Sequence, residues 1–331
     1  MTTYADEIAK GLSRVYDKNS VAEGVELADL RVVIFSDLHK GQRDGADDFQ
    51  RCEQTYLAAA DYYWADQFEL FLLGDVEELW ECRPAPVVRE YEDVLVSEQR
   101  FADASPARRY KRFVGNHDDQ WYFPDEVQKY LGPYLGGNSV IEGLRLTVHD
   151  QGAPLGELFL VHGHQGTPDS DRYAGLSALV VRYVWRPIQR VFNIRSSTPS
   201  NNFALRAKHE LAMYSYAERQ SSLVLIAGHT HHPVWEGLSL EQAMETQRAI
   251  GPTPEVDAQW MSEQTAGAVP LPGRKPCYFN TGCCSYSDGS ITGIELADGE
   301  IRLVRWEPSA VPNRVVLFSA ELAGVLQAVS D

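Results

Sequence analysis

The chain has 331 residues, of which 44% are hydrophobic and 23% are charged, and this is the composition of a folded globular protein. These proportions exclude a disordered or collagen-like chain. The formal net charge of -17 disfavours a broad electrostatic interaction with DNA or RNA, because both partners would be negatively charged.

Three features of the sequence indicate where the protein resides. Its five cysteines are odd in number and include no Cys-x-x-Cys pair, which favours a reducing compartment. The apolar runs, such as 32–35 and 179–181, are far shorter than the roughly 20 residues that cross a bilayer. The first 30 residues contain no apolar core of secretory-signal length. We therefore expect a cytoplasmic protein that does not span a membrane.

Short apolar runs predict five strands in the first two thirds of the chain. They lie at 31–35, 69–73, 112–114, 158–161 and 223–227. Segments of helical composition at 49–67 and 87–109 separate the first three runs, and this alternation is typical of an α/β fold. Later runs at 277–280, 291–296 and 301–306 are separated by Asp-Gly turns and predict an antiparallel meander. The whole pattern predicts a mixed sheet or a sandwich of two sheets.

Acidic, amide or imidazole side chains directly follow each of the five early strands. The segments are Ser-Asp-Leu-His at 36–39, Gly-Asp at 74–75, Gly-Asn-His-Asp at 115–118, His-Gly-His at 162–164 and Gly-His-Thr-His at 228–231. Since ligands bind beyond the carboxyl ends of strands in open α/β sheets, we expect these side chains to converge in one crevice. Glycines at 74, 115, 163 and 228 would let the backbone turn sharply there.

The histidines in these segments favour metal binding over a set of unrelated turns. A single histidine or aspartate after a strand is usually a turn or capping residue. Six of the nine histidines, however, fall in four of these short segments. The combined set of nitrogen and oxygen donors is too large for one tetrahedral ion, so we expect two metals.

These five blocks, in this order, resemble the signature of the calcineurin-like metallophosphoesterase superfamily: Asp-x-His, Gly-Asp, Gly-Asn-His-Asp/Glu, a lone His and Gly-His-x-His. They extend from Asp37 to His231, about two thirds of the chain. The resemblance implies a layered α/β sandwich with mixed sheets and a helical lid insertion. It also implies that 1–331 forms a single metallophosphoesterase domain.

The resemblance further implies two divalent metal ions that hold a hydroxide for attack on phosphorus. Manganese is the first expectation, and iron, zinc and cobalt are alternatives. The ligands implied are Asp37, His39 and His231 for one ion, Asn116, His162 and His229 for the other, and Asp75 as the bridge between them.

Further polar residues beside these ligands have roles implied by the same resemblance. His117 matches the family's general acid or transition-state stabiliser, and Asp118 would fix its tautomer. Glu78 falls where the family often has an acid that contacts a metal ligand. For His164, two interpretations stay open: a contact with a metal ligand or with substrate, or an ordinary loop histidine with its hydrogen bonds satisfied.

Residues 172–209 contain seven arginines or lysines and no acidic residue. Apolar residues recur there at every fourth position, and Arg182, Arg186 and Arg190 follow the same spacing about half a turn away. This pattern is typical of a basic amphipathic helix.

Two interpretations of this helix stay open. It is an ordinary helical insertion over 172–220, or it is a lid whose three arginines bind the substrate phosphate. As a lid, its apolar face over 172–195 would contact an acyl chain or the inner face of the membrane. The tract 235–276 is expected to be a second insertion.

A narrower resemblance connects the chain to bacterial UDP-2,3-diacylglucosamine hydrolases, through the run 162–187 and through Gly74-Asp75 followed by Glu78-Leu79-Trp80. The chain departs from that branch at His117, where those enzymes have Arg, and at His164, where they usually have Asp.

We therefore expect hydrolysis of a phosphorylated small molecule that is lipid- or nucleotide-linked, and nucleic acid is not the expected substrate. One alternative is the UDP-2,3-diacylglucosamine pyrophosphatase of lipid A synthesis. An alternative of another class is a catalytically silent, metal-stabilised interaction module.

Overall fold

Two seven-stranded sheets, here named sheet A and sheet B, form the centre of the fold. The computed structural model describes residues 3–45, 47–104, 110–167, 203–239, 242, 244, 274–309 and 311–330. The strands are β1 (Ser20–Glu26), β2 (Val32–Phe35), β3 (Glu69–Leu72), β4 (Tyr110–Phe113), β5 (Val140–Ile141), β6 (Gly143–Asp150), β7 (Ala153–Val161), β8 (Leu223–Ala227), β9 (Pro233–Trp235), β10 (Leu238–Ser239), β11 (Tyr278–Thr281), β12 (Ile291–Ala297), β13 (Glu300–Glu307) and β14 (Asn313–Glu321). The α-helices are α1 (Tyr4–Arg14), α2 (Glu53–Ala65), α3 (Pro84–Glu90), α4 (Glu92–Asp103), α5 (Pro124–Tyr130), α6 (Phe203–Glu218) and α7 (Leu322–Ala328).

Both sheets are mixed, as the sequence predicts. Sheet A has the order β1-β6-β7-β8-β11-β9-β10, and sheet B has the order β14-β13-β12-β2-β3-β4-β5. In sheet B the strands β2 to β5 run parallel, and β12, β13 and β14 form an antiparallel meander that pairs with β2. In sheet A, β7 is parallel to β8 and antiparallel to β6.

The five early strands are present, but they are divided between the two sheets. β2, β3 and β4 lie in sheet B, whereas β7 and β8 lie in sheet A. A single open sheet with all five polar loops along one edge is therefore not formed. The later run at 277–280 also differs from the prediction, because β11 pairs with β8 and β9 in sheet A instead of joining the meander.

Alternating side chains of sheet B belong to two separate hydrophobic clusters. Ile34 of β2 packs in the cluster that sheet B shares with sheet A, whereas Val33 and Phe35 pack in the cluster that includes α2 and α4. Because both faces of β2 are covered, all of its residues are buried, which explains its unbroken apolar sequence. These clusters define the layered α/β sandwich that the sequence predicts.

The two predicted insertions lie partly outside the described residues. Of 172–220, the described part includes α6 and the turn that leads into β8, and 168–202 lies outside it. Of 235–276, the described part includes β10 and the residues just before β11. Within the described ranges, no helix is both long and apolar enough to cross a membrane.

A charge-balanced network is buried beneath the loops that follow β2 and β3. Lys40, Glu77, Glu98 and Arg112 are each at most 2% exposed. Lys40 Nζ lies 3.2 Å from Glu77 and 3.3 Å from Glu98, and Arg112 forms ion pairs with the same two carboxylates. Trp121 Nε1 also donates to Glu77 at 2.9 Å. Each charge in this network therefore has buried partners of opposite sign.

Replacement of Arg112 tests how far the fold depends on this network. We expect Arg112→Met to lower the free energy of unfolding by about 3–5 kcal/mol, because two buried carboxylates lose a partner. The measurement is urea denaturation followed by circular dichroism. The control is Arg100→Met, which removes an exposed ion pair with Asp61 and should cost less than about 1 kcal/mol. Equal effects of the two substitutions would contradict the prediction.

Candidate metal centre

The loops that follow β2, β3 and β4 are joined by backbone hydrogen bonds. The Asp37 N–H donates to the Gly74 carbonyl at 3.1 Å. The Leu79 N–H donates to the His117 carbonyl at 3.1 Å. The three loops of sheet B therefore form one connected layer beyond the ends of their strands.

The loops that follow β7 and β8 join this layer from sheet A. The Gly228 N–H donates to the His162 carbonyl at 2.8 Å, which connects the two loops of sheet A. The His229 N–H donates to Asp37 Oδ2 at 2.9 Å, which connects sheet A to sheet B. The predicted convergence of the five loops therefore occurs, at a junction between two sheets.

Five of the predicted ligands have a left-handed backbone, which non-glycine residues rarely adopt. Such a conformation costs of order 1–3 kcal/mol and persists only where the surrounding structure holds it. Residues of this kind cluster at functional sites. Their φ angles range from 51° to 70°, and they are Asp37, His39, Asp75, His229 and His231.

Two of the four glycines predicted to allow sharp turns have a different role. Gly74 and Gly163 do have positive φ angles, 83° and 114°. Gly115 and Gly228 instead permit close approach between loops. A Cβ atom on Gly115 would lie 2.1 Å from Asp75 Oδ1, and one on Gly228 would clash with the loop after β2. Larger residues at these two positions would push the loops apart.

Asp37, His39 and His231 form the first candidate metal-binding group, with their ligand atoms within 4.8 Å of one another. His39 Nε2 lies 3.0 Å from His231 Nε2, which in turn lies 3.3 Å from Asp37 Oδ1. Burial opposes the charged form of Asp37, but the His231 imidazole holds the pKa of this carboxyl below its usual value. Asp37 therefore carries a negative charge at neutral pH.

Asp75, His162 and His229 form a second group, and Asn116 lies beside it. His162 Nε2 lies 3.1 Å from Asp75 Oδ2 and 3.2 Å from Asn116 Oδ1. The other ring nitrogen of His162, Nδ1, is 2.6 Å from the Leu73 carbonyl. A histidine that donates one nitrogen to a carbonyl and presents the other to its neighbours has the arrangement of a metal ligand.

Asp75 connects these two groups. Its Oδ2 lies 3.8 Å from His39 Nε2, and a third candidate group consists of His39, Asp75 and His117. Its Oδ1 accepts the backbone N–H of His117 at 2.7 Å. Burial opposes its charge, but the imidazoles of His162 and His117 hold its pKa well below the usual range. Asp75 is therefore an anion within reach of ligands from both sheets.

Two buried atoms of the centre have no hydrogen-bond partner among the described residues. They are Asp37 Oδ1 and His229 Nε2. Leaving a buried polar atom without a partner costs about 1–3 kcal/mol. Burial and the neighbouring His162 also hold the pKa of His229 well below its usual value, so its ring is neutral. Since carboxylates and neutral imidazoles are the forms that bind divalent ions, these residues fit a metal centre.

His117 lies at the edge of the centre and is held on two sides. Its Nδ1 is 2.6 Å from Glu78 Oε2, and its ring stacks on Trp80 with centroids 4.0 Å apart. Burial opposes its charged form, but Glu78 and Asp75 raise its pKa to about 10. His117 is therefore a cation at neutral pH in the metal-free protein. Glu78 also lies 3.0 Å from His39 Nδ1, so it contacts a candidate ligand, as the resemblance implies.

Asp118 does not make the contact expected of it. Its carboxylate accepts the backbone N–H groups of Val76 and Gly115, at 2.9 and 2.6 Å. The ring of His117 is held by Glu78, not by Asp118. Asp118 therefore links the loops after β3 and β4, and its own side chain is fully buried.

His164 is buried next to the second group. Its ring centroid is 5.3 Å from that of His162, and its Nε2 is 3.5 Å from the Tyr122 hydroxyl. Burial, with His162 nearby, lowers its pKa to about 3, so the ring is neutral. The three arginines predicted to bind substrate, Arg182, Arg186 and Arg190, lie outside the described residues.

His209 of α6 is a neighbour of the centre that no sequence motif indicated. Its Nε2 donates to the Gly163 carbonyl at 2.9 Å, and its Nδ1 accepts the Tyr4 hydroxyl at 2.8 Å. Its ring centroid lies 5.3 Å from that of His229. His209 therefore supports both loops of sheet A. A lone histidine within a helix carries no signal that distinguishes it from any other buried residue.

Comparisons with known proteins give limited results. No protein-family model matches the sequence, and no curated protein matches it. Among solved structures, vacuolar protein sorting 29 from Cryptosporidium parvum is similar, with 12% identity, a TM-score of 0.35, and coverage of 88% of this chain and 98% of that one. A mutant cold-active protein tyrosine phosphatase has 11% identity, a TM-score of 0.38, and coverage of 91% and 84%. Similarities at these scores carry no conclusion about function.

The pKa of His117 provides a test of the Glu78 contact. In the metal-free protein we expect Glu78→Gln to lower the pKa of His117 from about 10 towards its usual value, because burial then acts with less opposition while Asp75 and Asp37 still raise the pKa. The measurement is an NMR titration of the imidazole protons.

The same substitution should change how stability depends on pH. With a folded pKa of about 10 against a usual 6.5, His117 stabilises the fold fully below pH 6.5 and loses this contribution as the pH rises to 10. This loss should be smaller in Glu78→Gln and end at a lower pH, because part of the upward shift in pKa is removed. A pKa of His117 that stays near 10 in the variant would show that Glu78 is not its cause.

Replacement of His209 tests its support of the centre. We expect His209→Phe to weaken Mn²⁺ binding by about 10-fold or more, because a ring remains but both hydrogen bonds are lost. Calorimetric titration of metal-free protein measures this. Tyr4→Phe is the matched control, since it removes one of the two hydrogen bonds and should have the smaller effect. Wild-type affinity in His209→Phe would contradict a supporting role.

Proposed function

We propose that this protein is a metal-dependent phosphoester hydrolase with a binuclear centre. Its substrate is a phosphorylated small molecule, and the expected ions are manganese first, with iron, zinc or cobalt as alternatives. Two divalent ions bound in such a centre activate water and neutralise the oxygens of a phosphoryl group. The protein residues described above supply the ligands and the acid for this reaction.

The observation that carries the proposal is the position of Asp75 between two candidate ligand groups. Asp75 forms one candidate group with His162 and His229, beside Asn116, and another with His39 and His117. His39 in turn forms a group with Asp37 and His231. A carboxylate shared by two such groups fits an anion that bridges two cations. The unpartnered atoms of Asp37 and His229, each in a different group, support a second ion in the same way.

His117 supplies the proton in this proposal. Glu78 holds its Nδ1, which leaves Nε2–H to donate to a phosphoryl or leaving-group oxygen. Its raised pKa, about 10, keeps the proton on the ring near neutral pH in the metal-free protein. Trp80 fixes the plane of the ring, so the direction of donation is set before the substrate binds.

The finer parts of the proposal rest on the sequence. The basic amphipathic segment 172–195, with Arg182, Arg186 and Arg190, would bind a phosphate and an attached acyl chain or membrane surface. We also propose a cytoplasmic location, which the cysteine content favours. A contact between His164 and the substrate is also part of the proposal, and the position of its ring beside His162 supports it.

Metal content and hydrolysis of bis(p-nitrophenyl) phosphate in Mn²⁺ test this function together. We expect about two metals per chain and turnover in the wild type. Asp75→Ala should lose at least one metal and reduce kcat by more than about 10²-fold, because both groups lose their shared anion. Asp61→Ala, at an exposed position of α2, is the matched control and should retain both properties.

The alternatives give different outcomes in the same experiment. Fewer than one metal per chain after reconstitution would refute the binuclear centre. Two metals without turnover of any phosphoester would favour the silent interaction module. Release of a lipid monophosphate from UDP-2,3-diacylglucosamine would select the pyrophosphatase of that branch.

A further inference from the structure

The end of β11 and the loop that follows it lie against the candidate metal centre, although they carry none of the candidate ligands. The Cys284 N–H donates to the carbonyls of Ser36 and Asp37, at 3.1 and 3.2 Å. Asn280 Nδ2 donates to the Gly228 carbonyl at 2.6 Å. This segment therefore holds the backbone of two loops that present ligands, one after β2 in sheet B and one after β8 in sheet A.

The Ser36 hydroxyl connects this segment to the side chain of a candidate ligand. It forms a hydrogen bond with Asp37 Oδ2 and lies 2.7 Å from Thr281 Oγ1, at the end of β11. The Gly282 carbonyl is 3.3 Å from the same hydroxyl. Ser36, Asp37 and Thr281 are all fully buried. Their side chains therefore interact with one another and not with solvent.

The direction of these hydrogen bonds follows from the number of protons. Ser36 has one hydroxyl proton, whereas an ionised aspartate can only accept. The neutral carbonyl of Gly282 is the weaker competitor, because a charged acceptor forms the stronger hydrogen bond. Ser36 therefore donates to Asp37 Oδ2, and the Thr281 hydroxyl donates to Ser36 Oγ. The two hydroxyls act in series on one carboxylate oxygen.

The two oxygens of Asp37 consequently have different surroundings. Oδ2 accepts from the Ser36 hydroxyl and from the His229 backbone N–H, the latter at 2.9 Å. Oδ1 has no hydrogen-bond partner among the described residues. It lies 3.3 Å from His231 Nε2 and 3.9 Å from His39 Nε2. One oxygen is held by donors, and the other faces the remaining members of the first candidate group.

The loop after β8 covers the hydroxyl and the oxygen that accepts from it. A Cβ atom on Gly228 would lie 2.3 Å from Ser36 Oγ and 2.6 Å from Asp37 Oδ2. The glycine backbone is therefore packed directly over this hydrogen bond. Donors that are themselves fixed in this way orient a ligand before an ion binds.

We propose that Ser36 and Thr281 are positioning residues for Asp37. Their linked hydroxyls hold Oδ2, so that Oδ1 is the oxygen presented to the ion of the first candidate group. This inference rests on the metal centre of the proposed function, and it specifies what orients one of its ligands. Neither residue contacts the ion or the substrate.

Removal of the Ser36 hydroxyl tests this proposal by calorimetric titration of the metal-free protein with Mn²⁺. We expect Ser36→Ala to weaken the binding of one ion by about tenfold or more, because the Asp37 carboxylate loses its side-chain donor and is free to turn. Ser97→Ala is the matched control. It removes another buried serine hydroxyl, which lies 2.7 Å from Arg100 Nη2 in α4, and should leave the Mn²⁺ affinity unchanged.

Two variants of Thr281 separate positioning from packing. Thr281→Val keeps the shape of the side chain but removes its hydroxyl, and it should weaken Mn²⁺ binding in the same direction as Ser36→Ala. Thr281→Ser loses a methyl group but keeps the hydroxyl, and it should retain the wild-type affinity. The opposite order would overturn the proposal, because packing and not the hydrogen bond would then matter.

The Mn²⁺-loaded crystal structure of the wild type tests which oxygen binds. We expect Asp37 Oδ1 on the ion, with Ser36 still donating to Oδ2. An ion bound through Oδ2 would overturn the assignment.

Neither measurement uses turnover, so failure of this inference and failure of the proposed function are distinguishable. Two bound ions without hydrolysis of any ester would refute the function, while weaker Mn²⁺ binding in Ser36→Ala would still support the inference. Wild-type Mn²⁺ affinity in Ser36→Ala would overturn the inference alone. Fewer than one ion per chain in the wild type would overturn both.

Discussion

The burial of two carboxylates, Asp37 and Asp75, at the junction of the two sheets is the constraint on which the rest of the site depends. Both are at most 1% exposed, and two buried anions so close together are costly unless cations and hydrogen-bond donors surround them. Imidazoles from four loops lie close to these carboxylates, and backbone N–H groups from two loops donate to them. These contacts offset part of the cost of burying the two anions. Asp37 Oδ1 lies 3.3 Å from His231 Nε2 but forms no hydrogen bond among the described residues, so it can accept further positive charge.

The stability of the fold and the geometry of the site use the same residues. Lys40 directly follows His39, and Glu77 lies two residues after Asp75. Both belong to the buried network with Arg112, so the loops that present the ligands are fixed from below by ion pairs. On the opposite side, His209 fixes the loops of sheet A. Substitutions in the buried network or at His209 are therefore expected to affect the metal centre, although these residues are not candidate ligands.

The strands β2 and β8, which are buried on both faces, were predictable from the sequence, whereas the edge strand β1 was missed. β2 and β8 are continuous apolar runs and were located to within one or two residues. β1 is a mostly exposed edge strand whose polar sequence gave no signal, although it pairs with β6 along its full length. The pairing of β11 depended on contacts between distant segments, which no local pattern reports.

The sequence alone determined the types of residue in the centre, because the side chains that can bind a metal occur in short segments directly after predicted strands. Asp37, His39, Asp75 and the histidines of sheet A were identified in this way. Which side chain contacts which was decided only by the tertiary structure. Glu78 holds His117 while the adjacent Asp118 joins backbone groups, since the turn after β4 directs neighbouring side chains to opposite sides. Contacts of this kind depend on distances between loops that are far apart in the chain, and linear order does not contain them.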